Sequence, residues 1–379
     1  MISSDLFLDA CKQNGFQLFS GTPCSYLKPL INAVIDDNSL EYRDVTNEGD
    51  AVALVSGASM TGTRGVVMFQ NSGLGNAVNA LTSLAFPFRF SFLMIVTHRG
   101  QPGGPADEPQ HELMGQITEQ MLSTMRIKWE TFPTEADQIA PLFERINAHM
   151  EQGIMPFALV MHKGSVEPRE LKAAQPEDPI GERGVHFEEN LQLSYSQRST
   201  RTEALEVILS HRRENDLMIG TTGKTGRELF TLKDDRQHLY MVGSMGSASS
   251  FSLGLALKVP DHRVICIDGD AAVLMRMGNL ATIGTVAPRN LLHIVLDNEI
   301  NDSTGGQSTP SRNVSIAAIA RSCGYKSVYS TDRIDRLDEI LKENATVGGP
   351  SLVHFRIRKG SPENLGRPTV KPYEVKQRM

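Results

Sequence analysis

Two apolar runs in the C-terminal half each end on polar side chains that suit a metal ion. The run "VICIDGDAAVLM" (264–275) contains an expected buried strand that stops at Asp270, and "LLHIVLDN" (291–298) stops at Asn298. Adjacent parallel strands end at the same edge of a sheet, so we expect these side chains to meet there. A carboxylate, an amide oxygen and a nearby backbone carbonyl are ligands that Mg²⁺ accepts. Backbone amides after Gly269, at a helix N-terminus, could hold an anion beside it.

Each of these residues also has an interpretation that involves no ligand. Asp270 could simply cap a helix, and Asn298 could stand in a turn. For either residue alone, that interpretation is the better one. Two such residues at strand ends, 28 positions apart, favour the metal site.

The N-terminal half holds further polar positions that could take part in chemistry. Glu48 leads a helix of small residues, where a glutamate is most often a solvated charge favoured by the helix dipole. Gln70 and Asn71 follow the apolar run "GVVMF" (65–69). Turn chemistry accounts for the two glycines of that stretch, but not for these amides.

A long polar loop, residues 97–116, follows the next apolar run. Loops of this length without elements of their own tend to be functional or disordered. Arg99 and His111 could meet an anionic substrate there, although a single histidine is more often a surface residue.

Near residue 220 the sequence matches a phosphate-binding loop only in part. The string "GTTGKTGREL" (220–229) lacks the first glycine of G-x-x-x-x-G-K-[ST], because Met218 occupies that position. Thr222 and Thr225 remain candidate hydroxyl donors to a diphosphate, and a role in a turn fits them equally well. Met245, in a glycine-lined stretch, is consistent with an ordinary strand-to-helix turn.

The order of apolar runs predicts two α/β domains. Continuous apolar runs indicate strands covered on both faces, as in parallel sheets, and helical patterns separate them. Residues 166–198 break this alternation with proline, glycine and charge, which is typical of an interdomain linker. We therefore predict domains over 1–165 and 199–379 joined by that linker. Strands are expected at 65–70, 91–98, 157–163, 216–222, 263–270, 291–298 and 351–358.

Composition excludes several classes of protein. The 379 residues are 40% hydrophobic and 22% charged, as expected of a globular protein with more than one domain. A net charge of −6 and the lack of a basic block argue against a nucleic-acid partner. No apolar run reaches the roughly 18 residues needed to cross a membrane, and the N-terminus predicts an amphipathic helix rather than a signal peptide. The four scattered cysteines fit a reducing, cytoplasmic location.

The spacing of Asp270 and Asn298 resembles the fingerprint of thiamine-diphosphate enzymes, in which Gly-Asp-Gly is followed by Asn one βαβ unit later. Here Ala271 replaces the last glycine, and the residues after Asn298 are bulkier than that pattern. The resemblance implies that Mg²⁺ binds Asp270, Asn298 and the backbone carbonyl of Ile300.

The same resemblance gives roles to residues elsewhere. Met245 is implied to bend the cofactor, and Glu48 to engage its aminopyrimidine ring, a task suited to a buried acid with a raised pKa. The implied thiamine-diphosphate-binding set is Gly243, Ser244, Met245, Gly269, Asp270, Ala271, Ala272, Asn298, Ile300, Thr222, Gln70 and Asn71.

Strings spread over almost the whole chain narrow the resemblance to the phosphonopyruvate decarboxylases. That family implies two parallel-sheet domains, one pyrimidine-binding and one diphosphate-binding, without the central domain of larger thiamine enzymes. It also implies decarboxylation of 3-phosphonopyruvate to phosphonoacetaldehyde and CO₂ in phosphonate biosynthesis, by a homo-oligomer with active sites between subunits. The strings are "GTPCSYLKPL", "NEGDA", "QNSGLGN", "DEPQH", "GTTGKTGRELF", "GSMGSASS", "LDN…DSTGGQ" and "KGSPENLGRP".

Recognition of the substrate is the part of the resemblance that leaves most open. A phosphonate dianion favours arginine or paired donors, and Lys28 or Arg367 could serve in place of the main set. That main set is Ser25, Arg99, Gln110 and His111. The chain departs from the family's strings close to the expected substrate, at Cys24, His98 and Asn301.

Sulfopyruvate decarboxylase is the nearest alternative activity, followed by a carboligase at the same site. A non-catalytic nucleotide-binding protein is disfavoured by Met218, and by the presence of Glu48 together with Asp270 and Asn298.

Overall fold

The structure, a computed structural model, describes residues 1–153, 155–173, 185–344 and 348–379. The chain divides into two units, Met1–Glu177 and Asp178–Met379. Residues 174–184 of the predicted linker lie outside the described residues. The predicted boundaries of the domains and linker stay predictions.

The first unit is built on one parallel sheet. Its strands are β1 (Phe16–Gly21), β2 (Glu41–Asp44), β3 (Arg64–Gln70), β4 (Leu93–Thr97), β5 (Lys128–Thr131) and β6 (Phe157–Met161). They lie in the order β2-β1-β3-β4-β6-β5, and every neighbouring pair is parallel. Its helices are α1 (Ser4–Gln13), α2 (Lys28–Asp36), α3 (Glu48–Ser59), α4 (Leu74–Ala80), α5 (Phe86–Phe88), α6 (Glu112–Thr124) and α7 (Ile139–Glu151).

The second unit has a larger parallel sheet and a short antiparallel hairpin. The strands of its sheet are β7 (His186–Asn190), β8 (Leu217–Gly220), β9 (His238–Tyr240), β10 (Val264–Gly269), β11 (Leu291–Asp297), β14 (Ser327–Thr331) and β15 (Ser351–Arg356), and the hairpin pairs β12 (Ile300–Asn301) with β13 (Gln307–Ser308). The order in the sheet is β7-β14-β15-β11-β10-β8-β9. The helices are α8 (Arg201–Ser210), α9 (Lys224–Leu232), α10 (Ala248–Lys258), α11 (Asp270–Met275), α12 (Gly278–Val286), α13 (Ile316–Ser322), α14 (Ile334–Glu343) and α15 (Pro372–Arg378).

The α/β class with parallel sheets is confirmed, and each strand expected from an apolar run is present. The central strands β4, β6 and β11 are buried at every position, as expected for strands covered on both faces. The strands that apolar runs did not predict include β2, β5 and β7, which lie at sheet edges and carry partly exposed polar residues. Strand β7 falls inside the range predicted as a linker.

The amphipathic helix predicted at the N-terminus is α1. Ser3 caps it by accepting a hydrogen bond from the Leu6 amide at 3.2 Å. Its buried face packs Phe7 against Phe132 and Phe143, with ring centroids 4.6 and 5.7 Å apart. Burying such a ring stabilises the unit by about 2 kcal/mol. Among the described residues, no helix is long and apolar enough to cross a membrane.

Candidate functional site

The carboxyl edge of the second sheet brings the two predicted metal ligands to one cavity. Strands β10 and β11 are neighbours, with Gly269 opposite Leu296, so the chain leaves both strands at the same level. The cavity there measures about 270 Å³. The predicted residues that line it are Thr222, Met245, Gly269, Asp270, Ala271, Ala272, Asn298 and Ile300. Their roles as ligands stay predictions.

Asp270 is a buried carboxylate at the start of α11. Only 3% of its surface is exposed, and it accepts a hydrogen bond from the Thr309 hydroxyl. Burial and, to a smaller extent, the nearby Asp297 carboxylate raise the pKa of Asp270 to about 6, although hydrogen bonds from Thr309 and Ser311 act in the opposite direction. No basic side chain of the described residues forms an ion pair with it. A buried carboxyl group in this state fits a site for a bound cation.

Asp297 is linked to Asp270 through the hydroxyl groups of Ser311 and Thr309. Burial disfavours its ionised form, but His354 Nε2 at 2.8 Å and the Ser311 hydroxyl at 2.9 Å bring its net pKa below the usual value. Ser311 in turn contacts Thr309 at 2.8 Å. The network therefore holds Asp270 through Thr309 and keeps a second negative charge beside it.

The Asn298 amide has two orientations with different consequences. With its nitrogen towards Ile300, it donates to the Ile300 carbonyl at 2.9 Å, and its oxygen accepts from Arg201 Nη2 at 2.9 Å. The opposite orientation puts the amide oxygen beside the Ile300 carbonyl oxygen. Two acceptors at that distance repel each other unless a cation binds both. The first orientation suits the metal-free protein, and the second supplies two oxygen ligands, so these groups fit Mg²⁺.

Two basic residues that the sequence reasoning missed line the same cavity. Lys224, the first residue of α9, pairs with Asp302 at 3.2 Å. Arg201 is buried and pairs with Glu228 at 2.7 Å and with Asp302 at 3.2 Å. The sequence signal for Lys224 is its place in the string "GTTGKTGREL", because a bound diphosphate needs a nearby positive charge. Arg201 carried no local signal.

Met245 and its neighbours form a tight turn at the cavity. Ser244 is buried in the left-handed region with φ 51°, and its hydroxyl lies 2.7 Å from that of Ser247. Met245 lines the cavity, whereas Gly243 and Ser244 are absent from its lining.

In the first unit, Glu48 occupies the first turn of α3. Its carboxylate is partly buried and accepts hydrogen bonds from the Thr22 hydroxyl at 3.0 Å and from Asn76 Nδ2 at 2.8 Å. Gly73 makes room for it, because a Cβ there would lie 2.4 Å from Glu48 Cγ. The carboxyl group is thus held by two donors in a fixed position.

Arg99 lies in a network centred on Asp107, a residue not predicted to matter by itself. Arg99 Nε donates to Asp107 Oδ2 at 2.7 Å, and its Nη2 pairs with the other carboxylate oxygen. This pairing holds the pKa of Asp107 well below its usual range. Ser25 accepts from Arg99 Nη1 at 3.1 Å, and the guanidinium lies 4.8 Å from the Tyr26 ring centroid. The arginine is therefore already neutralised by its own loop.

His111 and Gln70 extend the same network. Asp107 can only accept, so the proton on His111 belongs on Nδ1, 3.1 Å from Asp107 Oδ1. Nε2 then accepts from Gln70 Nε2 at 3.3 Å, and Gln70 Oε1 accepts from the Cys24 thiol at 3.5 Å. Ser25, Gln70, Arg99 and His111 are thus brought together.

Gln110 lies outside that network, and Asn71 contacts it only through the backbone of Arg99. Gln110 is exposed, and within the described part of the chain no hydrogen bond joins it to the network. Asn71 is fully buried and donates to the Arg99 carbonyl at 2.8 Å and to Thr118 at 3.0 Å. Its contacts orient the backbone of Arg99.

Both units match known families of cofactor-binding domains. Residues 1–121 match the thiamine pyrophosphate enzyme N-terminal TPP binding domain, and residues 218–355 match the C-terminal TPP binding domain of these enzymes.

Two full-length relatives decide the family. A phosphonopyruvate decarboxylase from Streptomyces viridochromogenes is 43% identical over 96% of this chain and 90% of that protein. Another, from Streptomyces hygroscopicus, is 40% identical over 100% of this chain and 93% of that protein. This chain belongs to the phosphonopyruvate decarboxylase family. A sulfopyruvate decarboxylase from Methanosarcina acetivorans is more distant, at 28% identity over 93% of the chain and 91% of that protein.

Solved structures share the fold of this phosphonopyruvate decarboxylase family member at low identity. A benzoylformate decarboxylase from Polynucleobacter necessarius superposes with a TM-score of 0.72 at 12% identity, covering 96% of this chain and all of that chain. A 4-hydroxybenzoylformate decarboxylase from Rhodococcus jostii RHA1 gives 0.71 at 11%, with the same coverage. The chain therefore shares its fold with these two decarboxylases.

Proposed function

We propose that this protein decarboxylates 3-phosphonopyruvate to phosphonoacetaldehyde and CO₂ with thiamine diphosphate and Mg²⁺, as a step in phosphonate biosynthesis. The observation that carries the proposal is 43% identity to a phosphonopyruvate decarboxylase across nearly the whole of both chains. The chemistry of the two polar clusters supports it.

Thiamine diphosphate, when bound, supplies a carbon nucleophile and an electron sink for the loss of CO₂ from a 2-oxo acid. Asp270, Asn298 and the Ile300 carbonyl would hold Mg²⁺ beside its diphosphate. Lys224 offers a positive charge at the same cavity, held by one carboxylate at 3.2 Å. Arg201, which pairs with Glu228 and Asp302, would instead keep Asp302 in place.

Glu48 is our candidate for the proton-handling group at the other end of the cofactor. Its two donors, Thr22 and Asn76, leave the carboxyl group fixed at the start of α3. A carboxyl group held in this way can share a proton with an aminopyrimidine nitrogen without the entropy cost of first ordering the side chain.

Arg99 and His111, with Ser25, are our candidates for the anionic ends of the substrate. Arg99 is compensated by Asp107, so it would offer remaining N–H groups to a phosphonate rather than a free charge. His111 donates from Nδ1 to Asp107, so it would offer an N–H to the substrate only when Nε2 carries a proton as well. Gln110 is exposed and is the weakest member of the proposed set.

The proposal extends to the assembly. One cofactor needs the Glu48 carboxyl group and the Asp270 metal site, and we propose a homo-oligomer in which these come from different subunits.

The pyrimidine-binding domain would span residues 1–165, the linker 166–198 and the diphosphate-binding domain 199–379. Four free cysteines support a cytoplasmic location.

A product assay tests the proposal. Purified protein is incubated with 3-phosphonopyruvate or with sulfopyruvate, each with and without thiamine diphosphate and Mg²⁺. We expect aldehyde and CO₂ from phosphonopyruvate only when both are present. Faster aldehyde release from sulfopyruvate would show that sulfopyruvate is the preferred substrate. A coupled hydroxyketone product would indicate a carboligase.

A further inference from the structure

Glu299 lies between two proposed metal ligands in an unfavourable backbone conformation. It separates Asn298 from Ile300, and its φ of 63° is in the left-handed region. For a residue with a Cβ, this region costs free energy, so the loop keeps it only where the surroundings impose it.

Backbone contacts fix the turn on both sides of Glu299. Its amide donates to Asp297 Oδ1 at 2.9 Å, and its carbonyl accepts from the Thr309 amide at 3.0 Å. The Tyr195 hydroxyl donates to the Asn298 carbonyl at 3.3 Å. These contacts shape the turn but leave the cost of the left-handed residue in place.

The Glu299 carboxylate lies among three arginines. Arg198 Nη1 donates to Oε1 at 2.7 Å, Arg312 Nε lies 3.0 Å from Oε2, and Arg356 Nη1 lies 3.9 Å from Oε1. The side chains of Glu299 and Arg198 are 10% and 11% exposed, whereas that of Arg312 is 54% exposed. The pair with Arg198 therefore contributes most, because solvent screens the exposed pair.

The charge balance of this cluster matters for a neighbouring cation. Without Glu299, three positive side chains would remain beside a loop that is proposed to bind Mg²⁺. Their repulsion would oppose the metal, whereas the carboxylate offsets it. An ion pair that only stabilised the fold would not affect the affinity for Mg²⁺.

We infer that Glu299 is a positioning residue, whose carboxylate, held mainly by Arg198, keeps the chain in the left-handed turn that presents Asn298 and Ile300 to a divalent cation. This inference rests on the proposed function, since it assumes the cation site. If only a fraction of the molecules have the loop in its binding-competent shape, the apparent affinity for the metal falls in proportion to that fraction.

The test compares substitutions that differ in tolerance of the left-handed turn. Glu299→Ala and Glu299→Gly both remove the carboxylate, but only alanine has a Cβ that resists φ near 63°. We expect Glu299→Ala to raise the Kd for Mg²⁺ at least about tenfold, and Glu299→Gly to bind Mg²⁺ about tenfold more tightly than Glu299→Ala. Glu299→Asn, which also tolerates this region, should follow glycine. Mg²⁺ is titrated calorimetrically into full-length protein saturated with thiamine diphosphate.

Turnover at increasing Mg²⁺ gives a second readout that lost stability would not reproduce. Excess Mg²⁺ should restore kcat in each variant, with only the concentration at half-effect changed. If Glu299→Ala fails to fold, Glu299→Gln takes its place. Equal Mg²⁺ affinity of the glycine variant and the alanine or glutamine variant would overturn the inference.

Arginine variants and the unaltered protein complete the design. Arg198→Met should weaken Mg²⁺ binding because the turn loses its main support, whereas the loss of a positive charge alone would strengthen it. Arg312→Met, at the exposed pair, should change Mg²⁺ binding less than about twofold. An equal effect of both would contradict the assignment to the buried pair. If the unaltered protein bound no Mg²⁺ with thiamine diphosphate, the proposed function would fail. Binding by the unaltered protein with no ranking among the variants would overturn only the role of Glu299.

Discussion

The two polar clusters differ in how their charges are balanced. In the first unit, Asp107 is paired with Arg99 and hydrogen-bonded to His111, and its pKa is far below normal. In the second unit, Asp270 lies beside Asp297, no basic side chain in the described part of the chain pairs with it, and its pKa is raised to about 6, mainly by burial. The first cluster is neutralised by side chains of its own unit, whereas the second would be neutralised by the cation that we propose.

This contrast separates two kinds of site. A cluster with balanced charges stabilises the fold and can meet a substrate only through its leftover donors. A cluster with unbalanced charge is a cost to the free protein that a ligand removes. The same Asp→Asn change should therefore have opposite effects on stability in the two units.

The largest expected effect is that of Asp270→Asn. Loss of a charged metal ligand should lower kcat/KM at least about 10³-fold and remove the Mg²⁺-dependent binding of thiamine diphosphate. The cofactor-free variant should be more stable than the unaltered protein at pH 7 by about 2–3 kcal/mol, because the buried charge is gone. Calorimetry and urea unfolding measure the two effects. A less stable cofactor-free variant would contradict the unbalanced charge.

Glu48→Gln should come next. It keeps the shape of the side chain and removes its acid, so turnover should fall about 10²–10³-fold while thiamine diphosphate still binds. Single-turnover kinetics with saturating cofactor measure this, and calorimetry checks binding. Full turnover with the cofactor bound would exclude the role of Glu48.

Acid should weaken metal binding at the second cluster. The pKa of Asp270 is raised to about 6, so protons compete with Mg²⁺ as the pH falls through that value. We expect the Kd for Mg²⁺ to rise up to about tenfold per pH unit below 6 and to level off above 7. Titrations from pH 5 to pH 8 test this, and a flat profile would contradict it.

Asp107→Asn should destabilise the first unit, the opposite of Asp270→Asn. Leaving Arg99 without its partner should lower the free energy of unfolding by about 2 kcal/mol at pH 7. The folded pKa of Asp107 is lowered, so its contribution is present above the unfolded value near 4 and is lost as the pH falls further. Urea unfolding at several pH values should show the gap from the unaltered protein closing in acid. A constant gap would show that charge is not its cause.

Lys28→Ala should have the smallest effect. Its pair with Glu170 spans 2.9 Å between side chains that are 54% and 83% exposed, so stability should change by less than about 0.5 kcal/mol. The KM for phosphonopyruvate should stay within about twofold if the Arg99 cluster binds the phosphonate. A tenfold rise in KM would move that role to Lys28.

The sequence predicts the elements whose own residues carry the signal. Apolar runs give the central strands, and strand ends give Asp270 and Asn298, because both depend on a few neighbouring positions. Edge strands such as β2 and β7 were missed, since partial exposure allows polar residues.

Local sequence patterns do not predict which distant residues pair with the residues of the site. Arg201 meets Asp302 across 101 positions, and Asp297 meets His354 across 57. Such pairs exist only after the sheet has formed. The left-handed conformation of Glu299 is likewise imposed by distant arginines, and no glycine at that position signals it.

Gly73 has a consequence for genetic selection. Any side chain at this position would run into Glu48, because the first added carbon falls 2.4 Å from its Cγ. A saturation library at codon 73, screened for growth that depends on this enzyme, should return glycine almost alone. The neighbouring Gly75, where an added carbon meets nothing within 4 Å, should accept many residues in the same screen.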